Sequence, residues 1–302
     1  MTTHATKPRR ELLMAVFAPD NLPPAPSVAL RVFAAAESPD CDPAHLAELL
    51  STDPALCAAL LRAANSSVYA LARPVASVTR AVQVLGRRAV RALALALSTP
   101  GPRGAAESAR GYWLTSVGGA IIARELALLG GRPAPDEDMA AALLRDVGAE
   151  LLRRAFPARW AKHPERHGER LLFDPCGAEE DSFGVEHADV GAELLTRWGL
   201  PPEMAEPIRY HHRPGRLPDG PLKDRAVLLW LADRLIHLDA VTEHKDMLGR
   251  VLAEVNERYG FDVPGLVSFL TAVAPKVDAF ASAINVGEIH CPNLGAAVRR
   301  SS

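Results

Sequence analysis

Apolar residues recur along this chain at helical spacing, and the strict alternation of a half-buried strand is essentially absent. Residues 1–20 read as a loose arm. LPPAPSVALRVFAAAES then enters through prolines, which favour extended backbone, with Ser27 placed to cap a helix bearing Val28, Val32, Ala35 and Ala36 on one face. Asp42-Pro43 and Asp53-Pro54 each pair a capping acid with proline at the first helical position. They predict two helices, one carrying Leu46, Leu49 and Leu50 and the next Leu56, Leu60, Leu61 and Ala64. SVTRAVQVLGRRAVRALALALS follows as two helices broken near Gly86.

The clearest break is STPGPRGAAES at 98–108, where Pro, Gly and Ser favour turns, and a subdomain boundary is placed there. Beyond it, YWLTSVGGAIIARELALLG reads as a long helix ended by Gly130-Gly131, and Asp136 to Phe156 as another. The pair Gly118-Gly119 lies inside the first of these and suits close helix packing. Residues 162–181 read as a polar surface loop, HADVGAELLTRWGLP and PPEMAEPIRYHH as short helices, and AVLLWLADRLIHLDA as a core helix. Helical segments near 243–258 and 264–284 close the chain. The expected fold class is all-α: an N-terminal helical subdomain (21–98) packed on a helical bundle (105–240), with C-terminal helices and tail over 241–302.

Composition agrees with this. Hydrophobic residues make up 48% of 302 and aromatics only 5%, so Ala and Leu, strong helix formers, carry the apolar load. A formal net charge of -2 gives no general electrostatic drive toward nucleic acid. Arg62, Arg73, Arg80, Arg87, Arg88 and Arg91 make the first subdomain locally basic; a solvated helix surface is favoured over a phosphate-binding face. No run of 18 apolar residues predicts a membrane span, and no secretory signal opens the chain. Cys41, Cys57, Cys176 and Cys291 form no CxxC pair and fit free thiols in a reducing, cytoplasmic setting. Trp113, Trp198 and Trp230 fall on core helices, and no nucleophile elbow or phosphate-cradling glycine loop is present.

Candidate chemistry lies where polar residues interrupt apolar helices. Asp146 sits in AALLRDVGAELL and Asp233 in LLWLADRLIHL; a carboxylate buried there requires a partner or a metal. His187 begins one helix, while His211 and His212 close another. Adjacent helical residues point about 100° apart, so both histidines serve one site only at a helix end, where Pro214 and Gly215 put them. Imidazole and carboxylate together suit Mn, Fe, Zn or Mg. The residues leave two readings open: a divalent metal site, or buried ion pairs with histidines that cap and pack.

LPPAPSVALRVF, DPALCAALLRAANSSVYALARPVASVTRAVQVLG and RAVRALALALS together resemble the first half of HDOD domains. Asp53, Pro54, Leu56, Ala64, Asn65, Ser66, Tyr69, Ala81, Leu85 and Gly86 match that pattern one by one. ALLRDVG, HADVGAELLTRWGLPPEMAEPIRYHH and LADRL resemble the HD-type helical core, so the likeness covers about residues 20–240. It implies a bacterial signalling role. In active HD hydrolases, including HD-GYP phosphodiesterases, histidines and aspartates hold divalent metals. The resemblance implies that Asp146, His187, His211, His212 and Asp233 keep ligand positions, whereas Thr115 and Arg145 stand where histidines are expected. Arginine stays protonated and cannot ligate; Arg145 is expected to neutralise Asp146, leaving a vestigial or weak metal site with no catalytic residue. The resulting expectation is a non-catalytic regulatory module with a signalling protein partner or a nucleotide or cyclic-dinucleotide ligand. The alternatives are a metal-dependent phosphohydrolase and, more remotely, a nucleic-acid-binding regulator.

Overall fold

Prolines and capping acids start helices as the sequence predicts. In the computed structural model, Asp42 accepts a hydrogen bond from the Ala44 amide, and Asp53 accepts from those of Ala55 and Leu56, with proline at the first position of each helix. The structure describes residues 9–22, 25–38, 40–98, 107–163, 175–241 and 245–284. In chain order its first helices are α1 (Arg9–Val16), α2 (Ser27–Glu37), α3 (Pro43–Ser51), α4 (Pro54–Ala64), α5 (Val78–Ser98), α6 (Glu107–Leu129), α7 (Pro135–Leu144) and α8 (Val147–Ala155). There follow α9 (Pro157–Trp160), α10 (Pro175–Phe183), α11 (His187–Arg197), α12 (Pro202–Arg209), α13 (Pro221–Ile236), α14 (Leu238–Val241), α15 (Lys245–Tyr259) and α16 (Val263–Ala283). Pro214–Arg216 forms a 3-10 turn, and the described residues contain no strand. The fold is all-α.

Two compact units share the chain, and neither is continuous in sequence. One comprises 1–24 with 144–230, the other 25–143 with 231–302. Most of the break at 98–108, between α5 and α6, lies outside the described residues.

In the first unit, α8 packs on α11 and α1, and α11 on α12. The core gathers Leu12, Val16, Phe17, Leu151, Phe183, Val190 and Leu194. Arg197 stacks on Phe17 at 4.1 Å from its ring centroid, which fixes the exit of α1. The loose arm expected over residues 1–20 is therefore corrected over residues 9–20, where Leu12, Val16 and Phe17 recur on one face and are buried; residues 1–8 lie outside the described residues. The loop expected at 162–181 is likewise corrected in its last part, which is α10. The axes of α8 and α11 meet at glycine. A Cβ on Gly148 would lie 2.0 Å from the His187 carbonyl oxygen and 2.5 Å from the Gly191 nitrogen.

In the second unit, α2, α3 and α4 pack around α5, while α16 packs on α6 and α4. Gly86 leaves helical geometry at φ 78, ψ 162, so α5 is two helices meeting at that residue. Ser27 does not cap α2; Pro26 occupies that position without a side-chain bond, and the buried face is Ala29, Val32, Phe33 and Ala36. Gly118 permits the close approach expected of it, since a Cβ there would meet Ile236 Cδ1 at 2.4 Å. By length and composition α16 could cross a membrane. It buries Leu266, Leu270, Val273, Val277 and Phe280, and its Lys276 pairs with Glu125 at 2.7 Å.

Candidate metal centre

The helix expected from Asp136 to Phe156 is broken at Arg145 and Asp146, which form a turn between α7 and α8. Asp146 holds the N-cap position of α8 at φ −103, ψ 12, and its side chain caps nothing. Its carboxylate faces two imidazoles instead. Asp146 Oδ1 lies 3.4 Å from His187 Nε2 and 3.4 Å from His211 Nε2. His187 Nε2 in turn lies 3.1 Å from His212 Nε2. The glycine crossing of α8 and α11 makes this possible, because it brings the start of α11 against the start of α8 backbone to backbone.

Each buried histidine is oriented through its other nitrogen. His187 donates from Nδ1 to Glu179 Oε2 at 2.7 Å, and its backbone N–H donates to the same oxygen at 2.7 Å. Glu179, 2% exposed on α10, thus caps α11 and fixes the tautomer of its first residue. His211 donates from Nδ1 to the Ile208 carbonyl at 2.6 Å, in the turn that ends α12. Its buried Nε2 makes no well-formed hydrogen bond among the described residues and has the Asp146 carboxylate 3.4 Å away. Holding the far ring nitrogen to an acceptor is how proteins aim an imidazole lone pair at a cation. One ligand atom from each of Asp146, His187, His211 and His212 falls within 4.8 Å of all the others. Ligands about 2.1 Å from a tetrahedral zinc stand about 3.4 Å apart, so three of these separations match that donor set.

Arg145 works against a cation. It is 0% exposed, and its Nε lies 3.1 Å from Asp146 Oδ2. Burial alone would favour a neutral Asp146, but the Arg145 guanidinium, and then the His187 and His211 rings, hold its carboxyl well below the usual range. Burial also disfavours charge on His187, yet Glu179 and then Asp146 raise its imidazole well above the usual value. The His187 imidazole, its charged form favoured, and the Arg145 guanidinium face the carboxylates of Asp146 and Glu179. Asp146 keeps 17% of its side chain exposed and His212 is half-buried, so the cluster is open to solvent on that side.

Asp146, Arg145, His187, His211 and His212 are therefore brought together in the first unit. Asp233 and Thr115 belong to the second, and the four-residue cluster forms without them. Asp233 is buried on α13, 3.7 Å from Arg234 Nη1 and 3.6 Å from His237 Nδ1. Glu179 was missed in the sequence. The available signal was Glu186 ahead of His187, a poor cap that leaves the first amides of α11 needing another acceptor.

A family model for the HDOD domain matches residues 22–214. The chain belongs to the HDOD family. Among solved structures, it is similar to an HDOD domain protein of unknown function from Geobacter sulfurreducens, at 26% identity and a TM-score of 0.67, covering 92% of this chain and 96% of that one. A protein from Shewanella amazonensis SB2B, provisionally named a phosphohydrolase, aligns at 26% identity and a TM-score of 0.69, over 90% of this chain and 97% of its own. A protein from Marinobacter aquaeolei VT8, provisionally named a signal transduction protein, aligns at 25% identity and a TM-score of 0.65, over 92% of this chain and 65% of its own. An uncharacterized protein of Treponema pallidum is 28% identical over 204 residues, which is 67% of this chain but only 39% of that relative. Thus this HDOD chain spans about two fifths of its curated relative's length.

Proposed function

We propose that this HDOD chain is a regulatory signalling module without phosphodiester hydrolysis, acting on a protein partner or through a nucleotide ligand. One observation carries the reading: the guanidinium of Arg145, fully buried, stands 3.1 Å from the carboxylate that a hydrolytic metal would need. A fixed positive charge at that distance repels a divalent cation. Hydrolysis on such a scaffold requires a metal that lowers the pKa of bound water and offsets charge on phosphate. The likeness to a Marinobacter protein named for signal transduction favours the same reading.

A second reading has one observation of its own. The buried Nε2 of His211, 3.4 Å from Asp146 Oδ1 without a well-formed hydrogen bond and beside His187 and His212, fits a single bound divalent cation such as zinc or manganese. When bound, that cation would supply Lewis acidity. The residues themselves supply three imidazoles, one carboxylate and the orienting Glu179.

Elemental analysis of protein purified without chelator, with phosphodiesterase assays on bis(p-nitrophenyl) phosphate and a cyclic dinucleotide in added manganese, separates the readings. The regulatory module shows no turnover with or without added manganese. Stoichiometric metal with manganese-dependent turnover overturns it in favour of the second reading.

A further inference from the structure

The first unit also buries an imidazole that lies outside the candidate metal centre. His163 stands in the turn after α9 and is 2% exposed. Its ring packs against Phe183 of α10, with centroids 4.9 Å apart, and against Trp160 of α9, at 5.8 Å. Phe183 in turn stacks on Trp160 and Phe156, so the imidazole closes an aromatic cluster. Only one of its nitrogens is satisfied. Nδ1 meets Ser182 Oγ of α10 at 2.9 Å, while Nε2 is buried without a hydrogen-bond partner among the described residues. A neutral ring tolerates this, because Nδ1 can donate to the serine and Nε2 then keeps a bare lone pair. An imidazolium does not, because it puts a proton and a charge on Nε2 where no acceptor stands.

The surroundings favour the neutral ring. Burial lowers the His163 imidazole below its usual value; the Glu179 carboxylate on α10 opposes this, and His187 at the start of α11 adds to it. The other charged side chains of α9, α10 and the turn between them and His163, namely Arg159, Lys162, Glu180 and Asp181, are exposed. The bond to Ser182 and the contact with Phe183 tie the turn to α10. Three residues before Ser182, Glu179 accepts from both the Nδ1 and the backbone N–H of His187. The first amide of a helix has no acceptor within it, so the His187 N–H depends on Glu179.

We infer that His163 is an acid-sensitive latch: neutral, it fastens α10 to the turn after α9, and protonated, it releases α10 and with it the hold of Glu179 on His187. A histidine held below its unfolded value binds a proton more readily once released. The latch therefore loosens as pH falls through the usual histidine value of about 6.5 towards the lower folded one. It is independent of either functional reading, since it involves neither a bound metal nor turnover.

Two measurements on the full chain in EDTA test the latch. The His163 ring, assigned by its missing signal in H163F, is titrated by NMR, and amide protection factors are compared at about pH 5 and about pH 7.5, either side of the histidine range. The His163 midpoint should lie below about 6.5. Protection of the α10 amides and of the His187 N–H should fall on acidification in the parent and fall less in H163F, which keeps a ring in the cluster but cannot be charged. S182A should lower α10 protection at both pH values. Circular dichroism checks folding; if H163F does not fold, H163N, which keeps a donor for Ser182 without a titratable ring, takes its place. A midpoint at or above about 6.5, which means that Glu179 or the aromatic faces favour the charged ring, overturns the latch. So does an equal fall in H163F, which means that another group titrates, unchanged protection in the parent, or an S182A chain whose α10 is as protected as the parent's.

Discussion

Replacing Arg145 by alanine removes a fully buried guanidinium 3.1 Å from Asp146 Oδ2 and leaves the carboxylate facing His187 and His211. At an effective dielectric of 20, opposite charges at that separation attract by about 5 kcal/mol before desolvation is counted. Removing one member of a buried pair costs about 3–5 kcal/mol, because the remaining charge stays dehydrated and unbalanced. A divalent cation can then take the place of the guanidinium. Bound at about 100 times its dissociation constant, it restores about 2.7 kcal/mol. Urea denaturation followed by circular dichroism, in EDTA and in excess zinc, measures both quantities. R145A is expected to lose about 3–5 kcal/mol in EDTA and recover about 2–3 kcal/mol with zinc, while the unaltered chain gains less than about 1 kcal/mol. R145M/D146N separates charge from lost volume: with both charges gone, most of the loss should return. The reasoning is refuted if R145A is as stable as the parent in EDTA, or if zinc stabilises both equally.

Three further outcomes follow from the first unit. G148A places a methyl 2.0 Å from the His187 carbonyl oxygen, and the two backbones cannot yield without parting α8 from α11. It should cost about 3 kcal/mol in the same denaturation assay; a loss below about 1 kcal/mol removes the glycine crossing as the positioning device. E179Q takes away the leading charge that raises His187, so the imidazole titration midpoint, followed by NMR, should fall; an unchanged midpoint would mean Glu179 only packs. Glu150 is held low, against burial, by its hydrogen bonds to Arg153 and Arg154. A carboxylate with a depressed folded value stabilises above its unfolded value and loses that contribution as pH falls through the folded one. E150Q should therefore be less stable than the parent by about 1 kcal/mol at pH 7 and equal to it near pH 2, and an equal gap at both would contradict the pairing.

What was legible in the sequence was local. Asp42-Pro43 and Asp53-Pro54 announce helix starts because a cap and its amides lie within three residues. Gly86 announces a break because only glycine takes φ 78, ψ 162 without strain. The histidine and aspartate positions were legible through the family pattern, and four of the five proposed ligands do converge. The break at Arg145 was not legible. From Asp136 to Phe156 no proline interrupts the apolar pattern, and the helix yields there to a tertiary demand. The backbone turns at Asp146, aiming its carboxylate at α11 and the turn after α12, and the only local trace is the small Gly148 just beyond.

Arg145 and Glu179 explain each other. Asp146 and the three imidazoles draw compensating charge and a fixed ring orientation from two neighbours. Arg145 supplies the charge on one side; Glu179 holds His187 on the other and stabilises its protonated form. Both groups are buried, so both carry a desolvation cost that only their mutual arrangement offsets. Those charges tie together α8, α10, α11 and α12, which is why displacing one of them should be felt throughout the first unit.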